Sequence, residues 1–324
     1  METTAQAPQP ITGCSTGLGR CLAEAVLKSG ERLVATARNV GALEGLAQLA
    51  TKESDQQPQL LTVRLDVSDQ AQVDDAFAQA VARFGRVDVV VNNAGYGLHG
   101  ELESLSDDDI RALLDVNLWG VIRVTRAAVR VFREVNRAPV GGRLLQISSV
   151  GGFTVLPTLS IYHLSKFAIE GFSEAVAREM KPEWNIRITV VQPGGFKTDW
   201  GGRSLVTTEP HPAYAGSPAE AVRTFLGNPE TAKLIQGGDP RRAADVMVAL
   251  SRLEEPPFKL PLGPDAVGLI QSKLDMIQAE LNQWREMSMS TATEVPDELI
   301  TIGAFSETLA GIQKQLSNQQ SSKQ

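Results

Sequence analysis

Two groups of residues in this chain have the types and spacing to do chemistry. Tyr162 and Lys166 stand four positions apart in a stretch of helical periodicity, so they share one face, a turn apart. A free tyrosine has a pKa near 10, and using it as a base at neutral pH takes about 3 units of depression, or about 4 kcal/mol. A neighbouring cation works in that direction by Coulomb attraction. The pair is a candidate proton donor and acceptor, and Ser149, just beyond a β-rich run, can hold the oxygen that is protonated. The second group is Thr12-Gly13-Cys14-Ser15-Thr16-Gly17-Leu18-Gly19. A Gly-rich turn that runs into a helix points backbone N–H groups and the positive end of a helix dipole at a phosphate. A Cβ there would hold the phosphate off the backbone. Each feature alone has a plain structural alternative: a tight turn, a core Tyr, a helix Lys, a surface Ser.

Those residues need a scaffold, and the chain supplies an alternating one. RLVATAR (32–38), LLTVRLDV (60–67), VDVVVNNAG (87–95), GRLLQISS (142–149) and IRITVVQPGG (186–195) read as strands, each closed by Gly, Asn, Asp or Pro. Helical periods lie between them at 17–29, 70–84, 109–134 and 160–181. Strand alternating with helix implies parallel βαβ units in a doubly wound sheet, with ligands beyond the carboxyl ends of the strands. The stretch 196–240 breaks the rhythm with Gly, Pro, Ser and Thr and reads as a lid or binding loop. Helices are expected again at 218–227 and 240–253, then a short strand in FKLPLG (258–263). Residues 265–286 carry Val267, Ile270, Leu274, Ile277, Leu281 and Trp284 at helical spacing, a stripe expected to pack on the body of the protein. SNQQSSKQ at the end reads as a disordered tail.

The spacing TGxxxGxG resembles that of the short-chain dehydrogenase/reductase family, and further marks follow in order. Asn92-Asn93-Ala94-Gly95 ends a strand, Asn117 lies in the next long helix, and Ser149 follows the fifth strand. Tyr162-His163-Leu164-Ser165-Lys166 gives YxxxK, and Pro193-Gly194 with Thr198 follows the sixth strand. The resemblance covers about residues 11–200, and more loosely extends to 288. It implies an α/β fold, a single doubly wound parallel sheet (a Rossmann fold) with helices on both faces. Residues 1–288 would be one catalytic domain with a substrate loop at about 196–240, and 289–324 a partly disordered C-terminal extension. It also implies a nicotinamide-dependent oxidoreductase that interconverts a ketone or aldehyde and an alcohol. Tyr162 would exchange the proton, Ser149 would hold the substrate oxygen, and Lys166 would lower the tyrosine pKa and hold the ribose. Asn117 would anchor a water that links Lys166 to solvent. Gly13, Ser15, Gly17, Leu18, Gly19, Asn93, Ala94, Gly95, Pro193, Gly194 and Thr198 would join Tyr162 and Lys166 in binding the dinucleotide, with Asp66 and Val67 at the adenine.

Cofactor choice is read at the end of the second strand, Ala35-Thr36-Ala37-Arg38. An acid there would accept from the ribose 2′-hydroxyl and repel a 2′-phosphate. None is present, and Arg38 can fork onto the phosphate, so NADP(H) is the expected cofactor. The family's second basic mark, before Gly17, is absent: Thr16 stands there. Two further departures concern structure. Pro8 and Pro10 fall where a buried first strand should run, although proline lacks the N–H a ladder needs. His163 follows the tyrosine and is expected to be partly exposed, pointing away from it.

Gly194–Asp199 resembles the 17β-hydroxysteroid- and retinol-dehydrogenase-like branch. Phe153, Leu156, Phe196, Trp200 and Tyr214 are candidates to line an apolar pocket for a steroid, retinoid or secondary metabolite, with reduction the expected direction. Sugar-nucleotide epimerases share YxxxK but not the TGxxxGxG spacing. The other reading is a catalytically weak dinucleotide-binding scaffold or sensor whose first strand is damaged. The net charge of -7 argues against nucleic acid as a partner. Cys14 and Cys21 suggest reduced thiols, and His99, His163 and His211 are too scattered for metal-ligand spacing. No secretory signal or membrane-length apolar run is seen, so a cytoplasmic location is the default expectation. A homo-oligomer through 109–134 and 160–181 is possible.

Overall fold

The computed structural model describes residues 7–50, 59–136, 138–232, 234 and 237–291. In chain order the elements are β1 (Gln9–Ile11), α1 (Gly17–Lys28), β2 (Leu33–Ala37), α2 (Glu44–Ala50), β3 (Leu60–Arg64), α3 (Gln70–Phe84), β4 (Val89–Asn92) and β5 (Gly97–His99). After these come α4 (Asp107–Leu114), a π turn (Asp115–Gly120), α5 (Val121–Glu134), β6 (Gly142–Ile147), α6 (Ser160–Glu179) and β7 (Ile186–Pro193). The chain continues through α7 (Trp200–Arg203), β8 (Leu205–Thr207), α8 (Pro218–Gly227), α9 (Pro229–Ala232), α10 (Pro240–Ser251), β9 (Lys259–Leu262) and α11 (Pro264–Met289).

Seven strands form one sheet in the order β3-β2-β1-β4-β6-β7-β9, and every pairing in it is parallel. Strand alternation divides the core between its faces. Leu33, Ala35 and Val91 pack with α1 and α10, while Val34, Val90 and Leu144 pack with α3 and α5. Local signals fix the helix ends that lead into this frame. Asp69 caps α3 by accepting from the N–H groups of Ala71 and Gln72, and Gly85 ends it in the left-handed region at φ 79°. The expected helix at 109–134 starts two residues earlier and is interrupted by the π turn.

The proline-bearing first strand forms, but it is only three residues long. Gln9 N–H donates to Arg32 O at 2.9 Å and Thr12 N–H to Val91 O at 3.0 Å, so the chain is tied to both neighbours on either side of Pro10. Pro8 has no N–H to give, yet its carbonyl accepts from Asp88 and Val89 at 3.0 and 3.3 Å. A proline removes a donor, not an acceptor, and the strand survives on the remainder. Beneath it the Gln9 side-chain amide donates to buried Glu31, which also accepts from Arg252 Nε at 2.7 Å.

Two compact units divide the chain at Lys273 and Leu274. The sheet lies wholly in the first. Within the first unit Val267 of the stripe read in 265–286 is exposed and Ala266 is buried, and the stripe from Leu274 on belongs to the second unit. Periodicity identifies an apolar face but carries no information on what covers it. The tail from 292 lies outside the described residues. No helix among those described is long and apolar enough to cross a membrane.

Candidate functional site

At the carboxyl ends of β1 and β4 two loops lock together. Thr12 Oγ1 accepts from the N–H groups of Asn93 and Ala94, both at 2.9 Å, and Asn93 Nδ2 donates to Thr12 O at 2.8 Å and Gly13 O at 3.2 Å. The close approach requires glycine at 19, where a Cβ would stand 2.3 Å from Asn93 Nδ2 and 2.4 Å from Gly13 O. α1 then begins at Gly17 with no side-chain cap, in contrast to α3, α8 and α10, which Asp69, Ser217 and Asp239 cap. Its first N–H groups have no side-chain oxygen to cap them, an arrangement that an anion would complete. Leu18 is half-buried against the core, and Thr198, from the loop after β7, lies within 4.0 Å of where a Gly17 Cβ would point.

The remaining expected dinucleotide residues surround this turn. Arg38 is exposed just past β2 and makes no side-chain hydrogen bond among the described residues. Asp66 Oδ1 accepts from Ser68 N–H at 3.0 Å and Ser68 Oγ at 2.7 Å, and Val67 is buried against Gly120. Pro193 ends β7, Gly194 N–H donates to Leu262 O at 2.9 Å, and Gly195 N–H donates to Asp265 Oδ2 at 2.6 Å.

Beyond the ends of β4 and β6 the four candidate catalytic side chains converge. Tyr162 is buried on α6, with the Ser149 side chain near enough to act against the rise that burial gives its phenol pKa. Ser149 Oγ also accepts from Gly151 N–H at 3.0 Å, which fixes its rotamer. Lys166 Nζ lies 5.7 Å from the Tyr162 ring centroid and donates to Ile147 O at 2.9 Å. A Cβ on Gly95 would stand 3.7 Å from that ammonium and 3.2 Å from Asn117 Oδ1, so Gly95 borders both. Asn117 sits in the π turn, and its amide ties that turn to its neighbours. Nδ2 donates to Tyr96 O at 2.8 Å and Ser165 Oγ at 3.2 Å, while Oδ1 accepts from Tyr96 N–H at 3.0 Å.

Burial dominates the electrostatics here. It lowers Lys166 to about 8, with Glu170 pulling the other way. Burial also pushes the Tyr162 phenol up from its ordinary value, and only Ser149 opposes it. The ammonium alone does not produce the depressed tyrosine expected from the sequence, because loss of hydration outweighs it.

Residues 10–206 match the sequence pattern of the short chain dehydrogenases. The chain belongs to the short-chain dehydrogenase/reductase family. It is 39% identical over 284 residues to the uncharacterized oxidoreductase C162.03 of Schizosaccharomyces pombe, covering 88% of this chain and 91% of that one. With the oxidoreductase calM of Penicillium decumbens it shares 40% identity over 294 residues, 89% of this chain and 93% of the relative. A solved short-chain dehydrogenase from Streptomyces avermitilis superposes with a TM-score of 0.78 at 33% identity, covering 90% of this chain and all of that one. The family binds a nicotinamide dinucleotide and acts on small substrates.

Against the family pattern three side chains stand out that the sequence reading misplaced or missed. His163 is buried, not partly exposed. Its Nδ1 lies 2.8 Å from Gly151 O and its Nε2 accepts from Leu156 N–H at 3.0 Å, because the loop after β6 wraps over this side of α6. Phe196 is core and packs against Gly238 and Leu262 rather than lining a pocket. Of the other pocket candidates Trp200 stacks on Tyr162 at 5.6 Å, Phe153 is half-buried, Leu156 is exposed and Tyr214 donates to Glu103 Oε2 at 2.7 Å. Glu170 was missed: it accepts from Ser148 Oγ, Gln192 Nε2 and Lys259 Nζ at 3.0, 2.8 and 3.1 Å. Its signal was available, since 162, 166 and 170 repeat at four residues along one face of α6. Asp265 left only a weak one, an acid in the first turn of a helix.

Proposed function

We propose that this chain interconverts a ketone or aldehyde and an alcohol on a hydrophobic small molecule, with NADP(H) as cofactor and Tyr162 as acid and base. The observation that carries this reading is the convergence of Ser149 and Lys166 on the buried Tyr162, with Lys166 Nζ 5.7 Å from the phenol ring. A substrate carbonyl oxygen inserted between the two hydroxyls accepts from both, and Ser149 holds it while Tyr162 transfers its proton. A raised phenol pKa keeps the proton on Tyr162 until the carbonyl oxygen takes it. Bound NADPH would supply the hydride. Gly13, Ser15, Gly17, Leu18 and Gly19 would hold its pyrophosphate, with Asn93, Ala94, Gly95, Pro193, Gly194 and Thr198 along the rest. Asp66 and Val67 would border the adenine.

The preference for NADP(H) is supported by Arg38, which stands free past β2 with no acid beside it on the strand. The scaffold reading rested on a broken first strand. A β1 paired on both sides, and four converging catalytic candidates, favour the enzyme. Exposed Trp119, Leu164 and Phe167 on the π turn and α6 support association with a second copy. The test is a fluorescence titration with NADPH and, separately, NADH, followed by NADPH consumption with a panel of aldehydes and ketones. Tight NADPH binding, much weaker NADH binding and turnover of apolar carbonyls are expected. Equal affinity for the two would remove Arg38 as the phosphate reader, binding without turnover of any carbonyl would revive the scaffold, and no binding of either would overturn both readings.

A further inference from the structure

The two buried histidines of this chain differ in one respect. His163 has both ring nitrogens engaged, as described above. His99, 2% exposed, has an Nε2 with no hydrogen-bond partner among the described residues. A buried nitrogen left unpaired destabilises the fold, so a position that retains one is a place where a ligand can supply the partner.

The surroundings indicate which ligand. Strand alternation puts His99 on the face of β5 that carries Gly97. At Gly97 that face meets Trp200 Cζ2 and Leu205 Cδ1, each 2.7 Å from where a Cβ would stand, and the Trp200 ring lies 5.6 Å from that of Tyr162. Two residues of strand span about 7 Å, so His99 lies about that far along the ribbon from Gly97, the point at which Trp200 meets it. Its charged neighbours are committed to each other. Arg223 Nε donates to Glu101 Oε1 at 3.0 Å, its Nη2 to Glu101 Oε2, and its Nη1 to Thr208 O at 2.7 Å. Burial and the Arg223 charge both lower the His99 pKa, so the ring is neutral at pH 7. A neutral imidazole accepts from a hydroxyl or donates to a carbonyl, according to tautomer.

We propose that His99 is a specificity-determining residue that hydrogen-bonds a second, uncharged oxygen of the substrate, at the end remote from the reacting carbonyl. This rests on the oxidoreductase reading of Tyr162. It makes the substrate a multi-ring or similarly long apolar molecule with oxygen functions at both ends.

The test compares the wild-type full chain with His99→Leu and His99→Gln. In the ligand-free protein His99→Leu removes an unpaired polar atom at similar volume, and Tm is expected to rise by about 2–4 °C. A fall of that size would make His99 structural and overturn the proposal. With NADPH, decalin-1,6-dione and 1-decalone serve as probes. His99→Leu is expected to raise KM for the dione about tenfold or more, with kcat within about threefold and 1-decalone unaffected. His99→Gln, which keeps a donor and an acceptor, is expected to recover part of the loss. Equal effects on the two ketones, or none on either, would overturn the proposal while leaving the enzyme reading in place. A wild type that reduces neither probe nor any aldehyde or ketone of the panel would take down both.

Discussion

The floor of the site and the segment beside it are held in different ways. Ser149, Tyr162 and Lys166 stand on the end of β6 and on α6, elements bound into the sheet, with Ser149 and Lys166 fixed by backbone partners and the Tyr162 ring buried. Residues 200–228 have no strand in the large sheet. They are tied by a two-stranded ribbon, by Arg223 to buried Glu101, and by Tyr214 to exposed Glu103. The first arrangement keeps atoms in register for proton transfer. The second uses a few polar anchors and leaves side chains such as Val206 exposed, which permits change in the ligand they meet without loss of the chemistry. Substitutions in the two regions should therefore separate rate from anchoring.

The largest effect is expected on the floor. Tyr162→Phe removes the proton donor and little volume, so turnover should drop by about 10²–10⁴-fold. NADPH affinity should stay within a few-fold, as read by fluorescence titration. Retention of wild-type rates would put the acid elsewhere and dissolve the contrast.

Beside the site, Arg223→Met should act on stability instead. It strands Glu101, whose carboxyl is held down to about 2 chiefly by the Arg223 hydrogen bonds. A buried charge without its partner is destabilising, here by about 1–3 kcal/mol. The sign with pH follows from the lowered carboxyl. Its contribution is complete above the ordinary Glu value, near 4.5, and is lost as pH falls toward 2. Wild type and Arg223→Met should thus differ in Tm at pH 7 and converge on acidification. Limited proteolysis should cut the variant first within 200–228. A gap that persists in strong acid would mean that the contact matters through packing rather than charge.

The contrast also explains what could be read from the sequence. The strands of the large sheet other than β1, α3, and the positions of Ser149, Tyr162 and Lys166 were legible because their signals are local: alternation, spacing of four, Gly at loop ends. The Arg223–Glu101 pair spans 122 positions, and nothing in either residue's neighbourhood points to the other. His163 was misplaced for a related reason, since a helical wheel gives its direction and not the loop that covers it. Phe196 was assigned to a pocket on its type alone, whereas the bridge between Phe196 and Gly238 draws it inward. Pro8 and Pro10 gave a true warning of a short strand, but the carbonyls on which that strand depends are invisible in residue type.

Lys166 offers a sharper probe of the floor. Its ammonium is lowered to about 8 by burial, so the folded protein releases that proton as pH rises through 8. Where reduction needs the ammonium, the rate should fall about tenfold for each further pH unit. Lys166→Arg, which stays charged, should lose that limb whatever its overall rate. Stability moves oppositely. Between about 8 and the ordinary lysine value of 10.5 the unfolded chain binds the extra proton, so the Lys166 contribution to stability rises with pH. A rate limb near 8 that survives in Lys166→Arg would belong to another group.

The smallest effect belongs to Tyr214→Phe, and its smallness is the point. The Tyr214 hydroxyl donates to Glu103 at 2.7 Å, a full hydrogen bond by distance, as is the 3.0 Å contact of Arg223 Nε on Glu101. The difference is solvent. Glu103 is exposed, and water replaces the phenol's donation when it is removed, whereas the Glu101 side chain is 2% exposed and water has no access to it. Loss of the Tyr214 hydroxyl should shift Tm by no more than about 2 °C. Proteolysis of 200–228 should keep its wild-type pattern. A shift as large as that of Arg223→Met would show that both contacts bear on one anchored unit, and that burial is the wrong measure of what holds this segment in place.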